Sequence, residues 1–310
     1  MRVIVTGGTG MIGRALVADL AKDGHDVVVL TRNPAKADDL PKGARALAWD
    51  AQTANGWDHE ADGAGAIVNL AGESIAGEGF LPSRWTPARK RRILESRVNA
   101  GKAVVDAITR ASNKPAVLVQ SSAVGYYGTQ ALDDTRDLTE DAPAGNDFLA
   151  DVCQQWEAST QAVESMGVRR AVARTGVVLT LDGGVLPKLA LPFHFFAGGP
   201  IGSGKQAFPW IHIHDEVKAL RFLIENQNAW GPYNLSAPNV VTNAQFAKAL
   251  GKAMGRPSFI PTPGIAFKLG FGELAELLLL KGQRAVPARL QQQGYQFTFP
   301  EAASALEDLY

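Results

Sequence analysis

The chain has 310 residues, enough for one large α/β domain with a smaller lobe. Its 31 basic and 31 acidic residues cancel, so no overall field attracts nucleic acid or an anionic membrane, and a small-molecule substrate is the expected partner. The single cysteine, Cys153, excludes an internal disulfide and a cysteine-based zinc cluster, and we expect a cytoplasmic location.

The N-terminus has the pattern of a strand, a glycine-rich turn and a helix. A buried parallel strand favours β-branched residues, as in Val3 to Val5, and the following glycines allow backbone angles that a Cβ forbids. The helix predicted over Met11 to Lys22 points its free amides at the turn, which attracts phosphate. A second apolar run, Asp26 to Leu30, completes a βαβ unit and favours dinucleotide binding over a bare structural turn. The predicted cofactor contacts are Gly7, Thr9, Gly10, Met11, Ile12 and Gly13.

The tip of the second strand, Thr31 and Arg32, is where a dinucleotide fold meets the adenosine ribose. A carboxylate there would accept a hydrogen bond from the ribose 2′-hydroxyl of NAD, whereas the guanidinium of Arg32 suits a 2′-phosphate. The sequence therefore favours NADP over NAD. The alternative is that Arg32 is a solvated loop residue.

Two further strands are predicted at Arg45 to Ala48 and at Ala66 to Leu70. Asp50 follows the first of them, and it is placed either to accept from the adenine amino group or to cap a turn. Small residues follow the second strand and would let the backbone pass beneath the cofactor. We assign to the cofactor site Leu70, Ala71, Gly72 and Glu73.

A long helix is predicted from Thr86 to about Ser112, with its basic cluster on a solvated face. The next strand, Ala116 to Gln120, delivers hydroxyl groups to the crevice where open parallel sheets bind ligands. The candidate catalytic residues are Ser122, Tyr126 and Tyr127. Packing of one tyrosine is the alternative, since phenols often anchor turns.

The middle of the chain continues with a helix predicted over Phe148 to Met166 and a strand over Val168 to Val178. A later glycine-rich loop superficially resembles a phosphate-binding loop, but Gln206 stands where a magnesium-binding hydroxyl is required. Beyond it, Asp215 is the predicted N-cap of a helix that ends at Glu225.

Two histidines precede that helix, His212 and His214, and they could point the same way along an extended segment. No third ligand with suitable spacing is evident, so structural roles are favoured over a metal site.

The remaining sequence predicts a strand near Tyr233 to Leu235, a helix capped by Thr242 and an apolar helix from Ile265 to Leu280. The charged residues of the last helix argue against a membrane span, so we expect its wide apolar face to pack on the lobe. We divide the chain into a dinucleotide-binding domain, 1–175, to which segments about 205–235 return, and a substrate lobe, 176–310, with a C-terminal helical segment 257–310.

Taken together, the motifs resemble an extended but atypical short-chain dehydrogenase/reductase of the NAD-dependent epimerase-like family, over nearly the whole chain. The motifs that carry the resemblance are Thr6 to Gly13, Asn69 to Glu73, Arg84 with Trp85, Ser96 with Arg97, Ser121 to Gly128, Cys153 to Glu157, Trp210 to His212 with Asp215, and Gly282 to Arg284 with Pro287. The resemblance implies an α/β fold, a doubly wound parallel sheet that binds NAD(P), with a smaller C-terminal substrate lobe. It also implies proton transfer shared by a serine or threonine, a tyrosine and a lysine.

One part of the family pattern is altered. Tyrosine and lysine normally stand in Y-x-x-x-K, where the lysine lowers the pKa of the tyrosine and holds the nicotinamide ribose. The matching positions here are Leu149 and Cys153, and no lysine occurs between Lys114 and Lys188.

Two other charged residues are placed near the cofactor by the resemblance. Arg97 stands where many relatives have an asparagine, and Glu157, like Glu73, is expected to line the nicotinamide side. The leading hypothesis is an NADP-dependent oxidoreductase or epimerase with a rebuilt proton relay. The alternative is a protein that binds NADP(H) without turnover, as a sensor or interaction partner, and a sugar-nucleotide epimerase with the standard pair ranks third.

Overall fold

The structure is a computed structural model that describes residues 1–37, 39–77, 79 and 82–310. A seven-stranded sheet forms its centre, and two pairs of short strands lie outside it. The strands are β1 (Arg2–Thr6), β2 (Asp26–Thr31), β3 (Ala44–Ala48), β4 (Ala66–Asn69), β5 (Val117–Ala123), β6 (Arg169–Thr175), β7 (Val177–Leu179), β8 (Ala207–Phe208), β9 (Trp210–His212), β10 (Gly231–Leu235) and β11 (Val241–Thr242).

Helices cover both faces of the sheet and build most of the smaller lobe. They are α1 (Met11–Lys22), α2 (Asp58–Ala61), α3 (Pro87–Arg110), α4 (Phe148–Ala158), α5 (Leu186–His194), α6 (Ile213–Glu225), α7 (Asn243–Ala253), α8 (Gly264–Phe271), α9 (Glu273–Ala275), α10 (Ala288–Gln292) and α11 (Ala302–Leu309). No helix in the described part of the chain is both long and apolar enough to cross a membrane.

The sheet has the order β10-β6-β5-β4-β1-β2-β3, and every neighbouring pair of strands is parallel. The chain therefore builds outward from β1 in both directions, and the point where it reverses lies between β1 and β4. In such a sheet, ligands bind in the crevice beyond the carboxyl ends of the strands at this point. The predicted doubly wound fold is confirmed.

The sheet has one apolar core on each of its two faces, because successive side chains of a strand point to opposite faces. Val3 and Val5 pack with α1 and α6, whereas Ile4 packs with α2 and α3, and all three are fully buried. A separate apolar cluster, which includes Trp210 and Phe246, forms the core of the smaller lobe.

The helix predicted to begin after Asp215 begins earlier, so the predicted N-cap is wrong. The α6 helix starts at Ile213, and His212 is its N-cap because its Nδ1 accepts from the His214 amide at 3.1 Å. The Asp215 carboxylate instead accepts from the backbone amides of Thr298 at 2.9 Å and Phe299 at 2.8 Å. It anchors the C-terminal segment, a long-range contact that local sequence does not encode.

The two histidines therefore do not share one extended segment, because His214 lies inside the first turn of α6. Within the residues that the structure describes, no group of three histidine, cysteine or acidic side chains is arranged to hold a metal ion.

The helix predicted over Ile265 to Leu280 is also wrong in extent and packing. It breaks at Gly272, whose φ of 60° suits glycine, and a π-helical turn, Glu276–Leu280, follows α9. None of the α8 residues is buried, and Ile265 and Leu269 are 64% and 71% exposed. The apolar residues of α8 therefore do not pack on the lobe, whereas Leu274, Ala275 and Leu277 beyond the break are buried.

Two smaller boundaries also differ from the prediction. The helix predicted over Phe148 to Met166 ends at Ala158, and a separate 3₁₀ turn, Gln161–Met166, follows. The strand predicted over Val168 to Val178 divides at Gly176, where a Cβ would lie 2.9 Å from the Pro209 carbonyl oxygen. The predicted Thr242 cap is confirmed, and it forms a reciprocal capping box with Gln245.

Candidate functional site

The glycine turn between β1 and α1 is shaped by contacts that leave no room for side chains. Gly7 has a φ of 67°, and its carbonyl oxygen accepts from the Gly10 amide at 2.9 Å. A Cβ on Gly13 would lie 2.3 Å from the Gly7 oxygen and 2.6 Å from the Gly8 Cα. The helix is therefore held directly against the turn.

The first turn of α1 is open to an anion. Gly10 is the N-cap, no side chain caps the helix, and its first turn carries no acidic residue. The amides at the start of a helix have no partner inside it, and the helix dipole favours negative charge there. This arrangement fits the diphosphate of a dinucleotide, with the amides of Met11, Ile12 and Gly13 as its donors.

Buried amide and hydroxyl groups tie together the carboxyl ends of the central strands. The Thr6 hydroxyl donates to Asn69 Oδ1 at 2.7 Å and accepts from the Ala71 amide at 3.1 Å. Asn69 Nδ2 in turn donates to Gln120 Oε1 at 2.9 Å, which links β4 to β5. Sequence reasoning missed Gln120, because nothing in its own strand predicts its partner.

The segment that follows β4 also lies against the glycine turn. A Cβ on Gly7 would lie 3.0 Å from the carbonyl carbon and oxygen of Leu70. The predicted backbone segment from Leu70 to Glu73 therefore lies directly beside the turn. A ligand seated on the turn meets this segment next.

At the other side of β1, Arg32 follows the end of β2 and is exposed, and it forms no ion pair among the described residues. Asp50 lies beyond β3 and caps its own turn. Its carboxylate accepts from the amides of Gln52 and Thr53, both at 2.8 Å, and from the Thr53 hydroxyl at 2.8 Å. The structure thus shows the turn-capping alternative for Asp50.

Ser122 lies within β5 and is only 3% exposed. Its hydroxyl donates to Glu157 Oε1 at 2.7 Å, and Arg174 donates to both oxygens of that carboxylate, at 2.9 and 3.0 Å. Burial alone would disfavour the charged guanidinium, but the hydrogen bonds and charge of Glu157 raise the pKa of Arg174 above its ordinary value. Glu157 and Arg174 therefore form a largely buried ion pair that also holds the Ser122 hydroxyl.

The two candidate tyrosines occupy different environments. The Tyr127 hydroxyl is buried, donates to Asn234 Oδ1 at 2.7 Å and accepts from Arg174 at 3.0 Å. Burial raises the pKa of Tyr127 to about 12. Tyr126 is half-buried, and the Arg174 guanidinium carbon lies 3.4 Å from its ring centroid. Tyr126 is thus the phenol of the two that is more open to a ligand.

Leu149 and Cys153, which the sequence resemblance aligns with the family's tyrosine and lysine, both lie on the buried face of α4. Leu149 is 8% exposed and Cys153 is 4% exposed. The Cys153 thiol lies 3.7 Å from the Ala123 carbonyl oxygen, and burial raises the pKa of that thiol to about 11. Neither position presents an acid or a cation to the crevice.

Glu73 and Arg97 lie at the carboxyl end of β4, but their side chains point differently. The Glu73 carboxylate lies 3.5 Å from Arg92 and 3.9 Å from Arg89. Arg97 donates to the carbonyl oxygens of Glu73 and Ile93, both at 2.9 Å. The Glu73 carboxylate is thus turned toward basic residues of α3, while Arg97 faces the backbone of the β4 edge.

Two family models match the chain. Residues 3–236 match the family described as "NAD dependent epimerase/dehydratase family", and residues 262–309 match a "Domain of unknown function (DUF1731)". The chain belongs to the NAD-dependent epimerase/dehydratase family. This confirms the predicted family, and the second model begins within the segment that leads into α8.

Relatives extend this assignment over full length. Epimerase family protein YfhF of Bacillus subtilis is 39% identical over all of this chain and 98% of its own. Human epimerase family protein SDR39U1 is 38% identical over all of this chain and 99% of its own.

Solved structures of family members agree with the fold. A crystal structure of human SDR39U1 (isoform 2) with NADPH matches all of this chain with a TM-score of 0.86 and 37% identity, covering 99% of that chain. A nucleoside-diphosphate sugar epimerase from Corynebacterium glutamicum matches with a TM-score of 0.77 and 32% identity, and the match covers 58% of that longer chain. Both matches confirm the Rossmann-like fold of this chain.

Proposed function

We propose that this protein is an NADP(H)-dependent oxidoreductase or epimerase that acts on a small molecule in the crevice beyond β4, β5 and β6. The observation that carries the proposal is the uncapped glycine turn with Arg32, and no carboxylate, at the tip of β2. The NADPH in the structure of human SDR39U1, a relative 37% identical in sequence, supports the same cofactor here.

When bound, NADPH would be the source of the hydride that reduces the substrate. The α1 amides would hold its diphosphate, and Arg32 would pair with its 2′-phosphate. Tyr126 is the candidate proton donor, and Ser122 is the candidate group that positions the substrate oxygen. Arg174 stacks on the Tyr126 ring and fixes its orientation.

The preference for NADP(H) predicts a selective effect of Arg32→Ala. Because Arg32 is the cation at the ribose end, its loss should weaken NADPH binding by about tenfold or more while NADH binding changes little. Titration calorimetry with both nucleotides measures this, and Arg91→Ala, an exposed residue of α3, controls for the change in net charge. Equal losses for NADPH and NADH would contradict the assignment of Arg32.

The catalytic assignment predicts that Ser122→Ala and Tyr126→Phe slow turnover, by about 10²–10⁴-fold for the loss of a general acid. The assay follows NADPH oxidation over a panel of carbonyl compounds. Tyr127→Phe is the comparison, because its buried hydroxyl already has a donor and an acceptor and its loss should mainly lower stability. If wild type is active and neither Ser122→Ala nor Tyr126→Phe slows it, the proposed catalytic pair is wrong.

A second candidate function is an NADP(H)-binding sensor or interaction protein that does not turn the cofactor over. Its support is the absence of an acid or cation at Leu149 and Cys153, the positions that match the family's proton-transfer pair. Tight NADPH binding without turnover of any panel compound, in either direction, would favour this function over the first. Both proposals include a cytoplasmic location and a small-molecule ligand, and neither includes binding to nucleic acid or to a membrane.

A further inference from the structure

A dinucleotide bound as proposed has a defined direction on this sheet. The β1 strand lies between β2 and β4. With the 2′-phosphate at Arg32 beyond β2 and the diphosphate at the turn after β1, the molecule continues across the ends of β4 and β5. Its nicotinamide half therefore meets the segment from Leu70 to Glu73 that borders the turn.

The guanidinium of Arg97 lies against this segment. A Cβ on Gly72 would lie 3.1 Å from the Cγ and 3.1 Å from the Cζ of Arg97, so the absence of a side chain at Gly72 is what admits the arginine. The Arg97 Cζ also lies over the ring of Trp156, 4.9 Å from its centroid. The charge is thus fixed in place at the β4 end of the crevice.

Arg97 forms no ion pair with a carboxylate of the described chain, although the charge of Glu73 acts on it from beyond salt-bridge distance. Its hydrogen bonds go to two backbone carbonyl oxygens, and no acidic side chain of the described chain lies within salt-bridge distance of it. Glu157 is neutralised by Arg174, and Glu73 lies near Arg89 and Arg92. Burial lowers the pKa of Arg97 to about 10, which still leaves it charged at neutral pH.

We propose that Arg97 makes this site distinguish the redox states of its cofactor, binding the reduced form more tightly than the oxidised form. This inference rests on the proposed NADP(H) site. The two forms differ by one hydride: the reduced nicotinamide ring is uncharged, and the oxidised ring carries one positive charge. A fixed cation at this half of the crevice repels the oxidised ring and leaves the reduced ring unaffected.

The consequence is a protein that retains NADPH and releases NADP⁺. Such a preference suits a reductase, because the product form of the cofactor leaves easily. It equally suits a sensor of the reduced cofactor, so the inference holds for both candidate functions.

The test is titration calorimetry of NADPH and NADP⁺ with wild type and Arg97 variants. We expect wild type to bind NADPH at least about tenfold more tightly than NADP⁺, the size of effect that one screened charge produces over several ångströms. Arg97→Met should reduce the ratio of the two affinities toward one, mainly by improving NADP⁺ binding. Arg97→Lys keeps the charge and should keep the preference, and Arg91→Met, a distant arginine on the same helix, should leave the ratio unchanged.

Folding of each variant is checked by circular dichroism, and Arg97→Gln, which keeps a donor for the two carbonyl oxygens, replaces Arg97→Met if that variant does not fold. A wild-type ratio near one, or an unchanged ratio in the uncharged variants, overturns the role of Arg97 while the NADP(H) site stands. Failure of wild type to bind either nucleotide overturns the proposed function itself. Loss of both affinities together in Arg97→Gln means that Arg97 only supports the site's shape, which also overturns the inference.

Discussion

Gly13→Ala should abolish NADPH binding and lower the free energy of unfolding by about 3 kcal/mol, the upper range for forcing an atom into a packed interior. The added methyl group would stand 2.3 Å from the Gly7 oxygen, and the atoms it meets are backbone that cannot rotate away. To relieve the clash, α1 has to move off the turn, and its amides then no longer converge on one diphosphate. Urea unfolding and nucleotide titration measure the two effects separately.

Gly270→Ala is the matched control, because Gly270 lies in α8 without a positive φ, and a methyl group added there would have no neighbouring atom within 4 Å. Replacing glycine by alanine in an open helix should stabilise the protein by about 0.5–1 kcal/mol and leave NADPH binding unchanged. Wild-type NADPH affinity in Gly13→Ala would show that the contact between helix and turn does not shape the site.

Stability should fall as pH rises between about 4.5 and 8, because of Glu216. This side chain is fully buried between α6 and β6, and only one of its oxygens has a hydrogen-bond partner, the Thr175 hydroxyl at 2.9 Å. Burial raises the pKa of Glu216 from 4.5 to about 8. The folded state therefore holds this proton more tightly than the unfolded state does, and folding is disfavoured wherever only the unfolded state has released it.

The contribution of Glu216 is complete below pH 4.5, declines up to about pH 8 and is constant above it. At about 1.4 kcal/mol per pKa unit, the total loss is at most about 5 kcal/mol. Glu216→Gln removes the titrating group. In urea unfolding at pH 5, 7 and 9, the free energy of unfolding of the variant should therefore rise relative to that of wild type at each step. The exposed Glu307→Gln is the control, and parallel stability curves for wild type and Glu216→Gln would refute the assignment.

The parts of this protein that sequence predicts are those fixed by local chemistry. The run from Val3 to Gly13 alone indicates strand, turn and helix, since β-branched residues, obligatory glycines and an amphipathic helix stand next to one another. From that unit and the later apolar runs, the doubly wound sheet follows. Thr242 likewise predicts the start of its helix, because the capping box that it forms with Gln245 lies within four residues.

The parts that sequence does not predict depend on partners far along the chain. The Asp215 carboxylate has the local features of an N-cap, yet it binds amides at Thr298 and Phe299. The family resemblance places Glu157 near the cofactor, which stays a prediction, and it does not indicate the observed partners Ser122 and Arg174, which come from two different strands. A carboxylate can accept hydrogen bonds from many kinds of donor, and the folded structure determines which donors lie within its reach.

The edge strand β10 is separated in the chain from β6, with which it pairs, by α5 and α6, and this separation affects how the chain folds during synthesis. Until β10 has been synthesised and pairs with β6, β6 is an edge strand whose backbone hydrogen-bonding groups on one side have no partner. Arg169, buried at the start of β6, also lacks its three acceptors until the end of α6 and the residues after it have been synthesised. These acceptors are the carbonyl oxygens of Leu223, Ile224 and Ala229. The domain boundary predicted near residue 175 is therefore not the end of the unit that folds, which extends at least to Leu235.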